Sequence, residues 1–89
     1  MSENDTKNID TIITNLKPGE IITFKEISET IFHNKHWSSA IGRYIHKQRE
    51  RENYPYWRVV NSGNHPVADR KAISELENEG HKIENGRII

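Results

Sequence analysis

The sequence predicts a mostly helical α+β domain: a helix-turn-helix followed by short strands and a C-terminal hairpin, which is a winged-helix arrangement. Three observations predict it. Ile9, Ile12, Ile13 and Leu16 recur at i, i+3, i+4 and i+7, the apolar stripe of an amphipathic helix. Two more helical patterns, Thr23 to Phe32 and Ser38 to Glu50, are separated by only a short loop. Near the end, Asn85-Gly86 stands between Ile83 and Ile88; this dipeptide suits a hairpin turn whose two central residues need φ > 0. The length, 89 residues, predicts one domain spanning 1–89.

In chain order, the polar start to about Asn4 is expected to fray. Asp5 or Thr6 is the expected cap of the first helix, and Lys17-Pro18-Gly19 the turn that ends it. Ile21-Ile22 reads as a short extended piece. Thr23 and Glu26 have capping-box spacing, so the second helix should start there and carry Ile27 and Ile31 inward. Ser38 or Ser39 is the expected cap of the third helix, with Ile41, Tyr44, Ile45 and Gln48 inward. Gly42 inside that helix costs about 1 kcal/mol relative to alanine. Such a glycine implies close approach by another helix or by a ligand. Trp37 is expected to pack in the loop before it.

Tyr54-Pro55-Tyr56-Trp57-Arg58-Val59-Val60 follows, with Val59-Val60 as a short buried strand. Pro55 stiffens the approach to it. Tyr56 and Trp57 are therefore rigidly held aromatics at a loop–strand junction, either a core plug or a pocket wall. Asn61 to Ala68 reads as turn and loop. Asp69 should cap a fourth helix with Ala72, Ile73 and Leu76 inward, ended by Gly80.

Composition narrows the function classes. There is no cysteine, which removes disulfides, thiolate metal sites and thiol nucleophiles. His33 and His36 have no accompanying cysteine or carboxylate constellation, so no metal site and no cofactor are expected. The N-terminus lacks a secretory pattern and no apolar run reaches membrane-spanning length, so a cytoplasmic protein without a membrane partner is expected. Net charge is zero, yet Arg43, Lys47, Arg49, Arg51 and Arg58 face only Glu50 and Glu52 in that stretch. A local basic face suits salt-sensitive phosphate binding; it equally suits a solvated helix surface. The helix pair alone leaves DNA binding open, since such pairs also occur without DNA.

Four motifs then resemble a known family. Pro18-Gly19 through Thr23-Phe24 and Ile27 resembles the "P-x-G-x-V-x-T/S-Y-x-x-I/L-A" of the O6-alkylguanine-DNA alkyltransferase DNA-binding domain. Ser39-Ala40-Ile41-Gly42 resembles its "R-A-V-G", Pro55 to Val60 its "P-C-H-R-V-V", and Leu76 to Gly80 its "L-x-x-E-G". The four stand in order and at matching spacing, and the resemblance covers nearly the whole chain, from about Ile9 to Ile89. The departures point away from the enzyme. The alkyl-acceptor cysteine is replaced by Tyr56, a phenol of ordinary pKa about 10, and the activating histidine by Trp57, whose indole only donates. No catalytic residue remains, and the chain is most similar to the non-enzymatic alkyltransferase-like proteins.

That resemblance implies double-stranded DNA as partner, docking in the minor groove, flipping of an alkylated guanine such as O6-alkylguanine, and hand-over to nucleotide-excision repair proteins. It implies a monomer, associated with the nucleoid when bound. The candidate DNA contacts are Thr23, Phe24, Lys25, Ser38, Ser39, Ala40, Gly42, Arg43, His46 and Lys47. The candidate base pocket is Tyr56, Trp57, Arg58 and Val59. Arg58 is read as structural first, and Glu79 as an ion-pair or cap residue. Two substitutions weaken the flipping apparatus: the arginine finger falls at Ser39, and the phosphate-rotating tyrosine at Phe24. The small groove-facing residues Ser38, Ala40 and Gly42 persist. A winged-helix regulator with another target, and an interaction domain that has lost DNA, stand as the other readings.

Overall fold

The computed structural model describes all residues, Met1–Ile89. Helix α1 runs from Glu3 to Thr14. It starts earlier than expected because Ser2, not Asp5 or Thr6, is the cap. The Ser2 hydroxyl accepts the Asp5 N–H at 3.1 Å, and the Asp5 carboxylate accepts the Ser2 N–H at 2.9 Å. This reciprocal box orders the residues expected to fray. The helix stops at Thr14, before the Pro18-Gly19 turn.

Strand β1, Ile22–Thr23, pairs in parallel with β2, Val59–Val60, in the register Ile22↔Val59 and Thr23↔Val60. Thr23 also caps α2, Phe24–Phe32, through the expected box: its hydroxyl accepts from Glu26 N–H and its own N–H donates to Glu26, both at 3.0 Å. Left-handed His33 (φ 61°) ends α2. The turn to α3, Ser38–Gln48, is pinned by buried Ser28, whose hydroxyl donates to the Asn34 carbonyl and accepts the Trp37 N–H at 3.1 Å. Trp37 stacks on Phe32 with centroids 4.6 Å apart.

Neither Ser38 nor Ser39 caps α3. The cap residue is Trp37, without a side-chain hydrogen bond, and the Ser38 hydroxyl donates backward to the Lys35 carbonyl at 3.1 Å. The helix therefore begins on the strength of the Ser28-braced turn. After it, a single 3-10 turn, Tyr56–Arg58, leads into β2. Helix α4, Arg70–Asn78, is capped by Asp69 as expected, the carboxylate accepting the Lys71 N–H at 3.1 Å. Ile73 is not inward: it is 36% exposed, while Ala72 and Leu76 are buried. The hairpin β3, Ile83–Glu84, and β4, Arg87–Ile88, pairs Ile83 with Ile88 across Asn85 (φ 51°) and Gly86 (φ 76°).

The main core joins Ile9 and Ile13 of α1, Phe24 and Ile27 of α2, and Ile41 and Ile45 of α3 to Tyr54, Tyr56, Val59 and Ala72. A smaller cluster of Val60, Leu76 and Ile88 seats the hairpin. Burial of these isoleucines supplies the main driving force, at about 25 cal/mol per Å² of apolar surface. Two carboxylates knit the periphery. Asp10 accepts from the hydroxyls of Tyr44 (3.0 Å) and Tyr54 (2.8 Å) and pairs with Arg51 at 3.2 Å, tying α1 to α3. Glu79, at the C-cap of α4, ties three segments together, as described below.

Candidate nucleic-acid interface and base pocket

From Ser38 to Arg49 the chain carries three permanent cations, Arg43, Lys47 and Arg49, plus His46, and no acidic residue. Ser39, Arg43, His46 and Lys47 are exposed, and Ser38, Ala40 and Gly42 half-buried. Lys25 is exposed at the start of α2. Thr23 is spent on the cap, and Phe24 is a buried ring beneath α3.

A groove runs between α3 and the Asn61–Asp69 loop. It consists of two adjoining concavities of about 310 and 320 Å³ that share Phe24, Gly42, His46 and Val67. The first reaches Ser38, Ser39 and Asn61; the second ends at Ile45, Arg49, Tyr56, Ala68 and Asp69. The α3 contributors step along one face, which is why Arg49 belongs with the predicted set. Gly42 sits at the centre of the groove. A Cβ there would meet only the Phe24 ring of α2 at 3.8 Å, an ordinary side-chain contact, and no backbone. Packing against α2 therefore does not require a glycine here, because only a ring approaches it and at ordinary distance.

Tyr56 floors the deeper end. It is 4% exposed, and its hydroxyl donates to the Asp69 carboxylate. Burial, with the Asp69 carboxylate alongside, pushes the phenol well above its ordinary value. The same hydrogen bond, helped by the Lys71 N–H, holds the Asp69 carboxyl below the usual carboxylate range.

Trp57, Arg58 and Val59 do not line this pocket. Trp57 meets Tyr56 edge-on (5.6 Å, 77°) and opens on a separate cleft of about 550 Å³ beside Pro18 and Arg51. Its indole N–H donates to Glu79 at 2.9 Å. Arg58 is buried and spent: Nε and Nη2 donate to Glu79 at 3.0 and 2.7 Å, and Nη1 donates to the Leu16 carbonyl at 2.7 Å. Glu79 also accepts the Gly19 N–H at 3.2 Å. Burial alone would raise the Glu79 carboxyl; the donors from Arg58, Trp57 and Gly19 outweigh it and hold it below its ordinary value. Val59 is fully buried in the core. The three-residue turn explains the split, since at three residues per turn consecutive side chains point about 120° apart.

Five groove residues were absent from the sequence-predicted set besides Arg49: Ile45, read only as a core position of α3, and Asn61, Val67, Ala68 and Asp69. The last four come from a loop with no periodic signal. Asp69 was legible only as a helix cap. No group of side chains suits a metal ion.

No protein-family model matches the chain, and no curated protein matches it. Solved structures do. One, of S. pombe Atl1 in complex with damaged DNA containing O6-carboxymethylguanine, superposes with a TM-score of 0.81 at 17% identity, covering 94% of this chain and 82% of that one. Another, of S. pombe ATL in complex with DNA, gives 0.78 at 20% identity, covering 99% and 88%. At such identities the likeness is one of fold, and the fold is the alkyltransferase-like one that the four motifs implied.

Proposed function

We propose that this chain is a non-enzymatic DNA-binding domain that lays the Ser38–Lys47 face of α3 into the minor groove and offers the Tyr56 pocket to a weakly paired, alkylated or extruded base. The observation that carries this reading is the groove itself: it is centred on a helix-interior glycine that no internal contact requires, and it ends in a concavity of about 320 Å³. That volume lies within the range of small-molecule sites. Small residues admit the sugar–phosphate edge, and Arg43, His46 and Lys47 flank it. The two solved structures of like fold were both determined with DNA, one of them damaged, which supports the partner.

Alkyl transfer is not part of the proposal. A nucleophile at Tyr56 would have to lose a proton that burial and the Asp69 carboxylate both retain. The domain would act by binding, inside the cell, and expose the site to excision-repair proteins. A second reading is favoured by Ser39: its short side chain cannot fill the space of a departed base, so the helix would grip duplex without extruding anything.

The test is a titration of fluorescein-labelled duplexes differing at one central pair: fully paired, or carrying guanine or O6-methylguanine opposite thymine. Tighter binding to the weakly paired duplexes, with a change in tryptophan fluorescence, is expected, because unpairing costs less there. Equal affinity for all three at several salt concentrations would leave the second reading. Absence of binding at low salt would remove DNA altogether.

A further inference from the structure

The deep end of the α3 groove has an unusual polarity. A tyrosine hydroxyl has one proton, and Tyr56 gives its proton to Asp69. What the hydroxyl has left to offer is its lone pairs. Asp69 is a carboxylate, held ionised by that bond and by the Lys71 N–H, and it accepts only. Two of its roughly four lone-pair positions are filled, which leaves two. The Asp69 side of the pocket is therefore built of acceptors alone. The same pocket is lined by Arg49, a donor-only group whose Nη1 is engaged with the His46 carbonyl at 2.7 Å and whose Nε lies 3.9 Å from Glu50, which leaves Nη2 to offer a ligand. Phe24, Ile45 and Val67 supply apolar wall between the two.

We propose that this pocket selects a base that presents a hydrogen-bond donor edge to Asp69 and an acceptor edge to Arg49: a guanine-type base with N1–H and the 2-amino group intact, in preference to O6-alkylguanine. The two adjacent donors of such a base match a carboxylate in pairs, and its O6 and N7 match a guanidinium. Alkylation at O6 removes the N1 proton and turns a lone pair toward the Asp69 oxygens. The lesions that fit are those that leave the N1 edge untouched, such as mispaired guanine or guanine modified at N7 or C8. Asp69 is thus the specificity-determining residue. The inference rests on the reading that a base enters the Tyr56 pocket.

The experiment measures Kd for duplexes with guanine, hypoxanthine or O6-methylguanine opposite thymine at one position, and for the fully paired duplex, for the wild type and for Asp69→Asn. The unpairing cost belongs to the DNA and cancels when the O6-methylguanine to guanine Kd ratio is compared between proteins. Asparagine keeps the cap and adds an N–H donor, so the ratio should fall about tenfold in the variant. Hypoxanthine, without the 2-amino group, should bind wild type between the two. Tyr56→Phe keeps the carboxylate and should keep the wild-type order. Circular dichroism melting checks folding, and Asp69→Ser replaces the asparagine variant if that one is unfolded. An unchanged ratio with binding to weakly paired duplexes preserved overturns this inference alone. Equal binding to paired and weakly paired duplexes overturns it together with the base-pocket reading.

Discussion

Three consecutive residues divide the work of the 3-10 turn: Tyr56 faces the groove, Trp57 the opposite cleft, and Arg58 the interior. Only Arg58 carries a buried charge, and it depends on Glu79. Their side chains are 10% and 11% exposed. Glu79→Ala should cost about 3–5 kcal/mol, because it leaves a guanidinium buried without its counter-ion; a urea melt reads this directly. The same pair sets an acid limit. The folded Glu79 carboxyl lies below its ordinary value of 4.5, so its contribution is complete above that pH. It is lost as pH falls below it and through the folded value, because the unfolded state then binds more protons. Thermal melts between pH 7 and 3 should show the decline, and Glu79→Gln should flatten it. Much of this was legible. Arg58 reads as structural and Glu79 as an ion-pair or cap residue from the sequence, and both descriptions apply. The pocket assignments of Trp57, Arg58 and Val59 were not legible, because a run of aromatics does not reveal which way a single tight turn aims each ring.

The elements themselves were easier to read than their ends. Thr23-Glu26 and Asp69 mark their helices because cap chemistry is local. The Asn85-Gly86 hairpin and its Ile83–Ile88 pair follow from turn geometry. The start of α1 was misplaced because Asp5 serves as the box acceptor, where Glu or Gln is the usual signal. The start of α3 was misassigned because its support is tertiary: Ser28, nine positions before Trp37, holds the turn. At this scale Gly42 gives the sharpest prediction. Its backbone is ordinary helix and a methyl group fits against Phe24, so Gly42→Ala should stabilise the fold by up to about 1 kcal/mol. That corresponds to a Tm rise of about 4–8 °C in a domain of this size. The same methyl protrudes into the groove and should weaken duplex binding. A variant that is more stable and binds DNA equally well would argue that the α3 face does not dock.

At the scale of the molecule, zero net charge conceals a separation. Helix α3 carries Arg43 and Lys47 and no acidic residue, whereas α1 carries Glu3, Asp5 and Asp10 against Lys7, and α4 balances Arg70 and Lys71 with Glu75 and Glu77. A neutral protein with one basic face should bind duplex with a measurable salt dependence, each phosphate neutralised contributing about 0.9 to the slope of log K against log salt. Arg43→Ala should lower that slope by about one and weaken all duplexes alike; Ser39→Ala should leave it unchanged. The Glu79 bridge also has a consequence for synthesis. Its carboxylate closes contacts with Gly19, sixty positions earlier, and with Arg58, twenty-one earlier. A nascent chain on the ribosome carries Arg58 without its counter-ion until α4 has emerged, and the Val60–Leu76–Ile88 cluster waits for the last residues. Folding of this domain is thereby deferred until α4 and the hairpin have been synthesised, and a truncation before Glu79 should yield a chain that never consolidates.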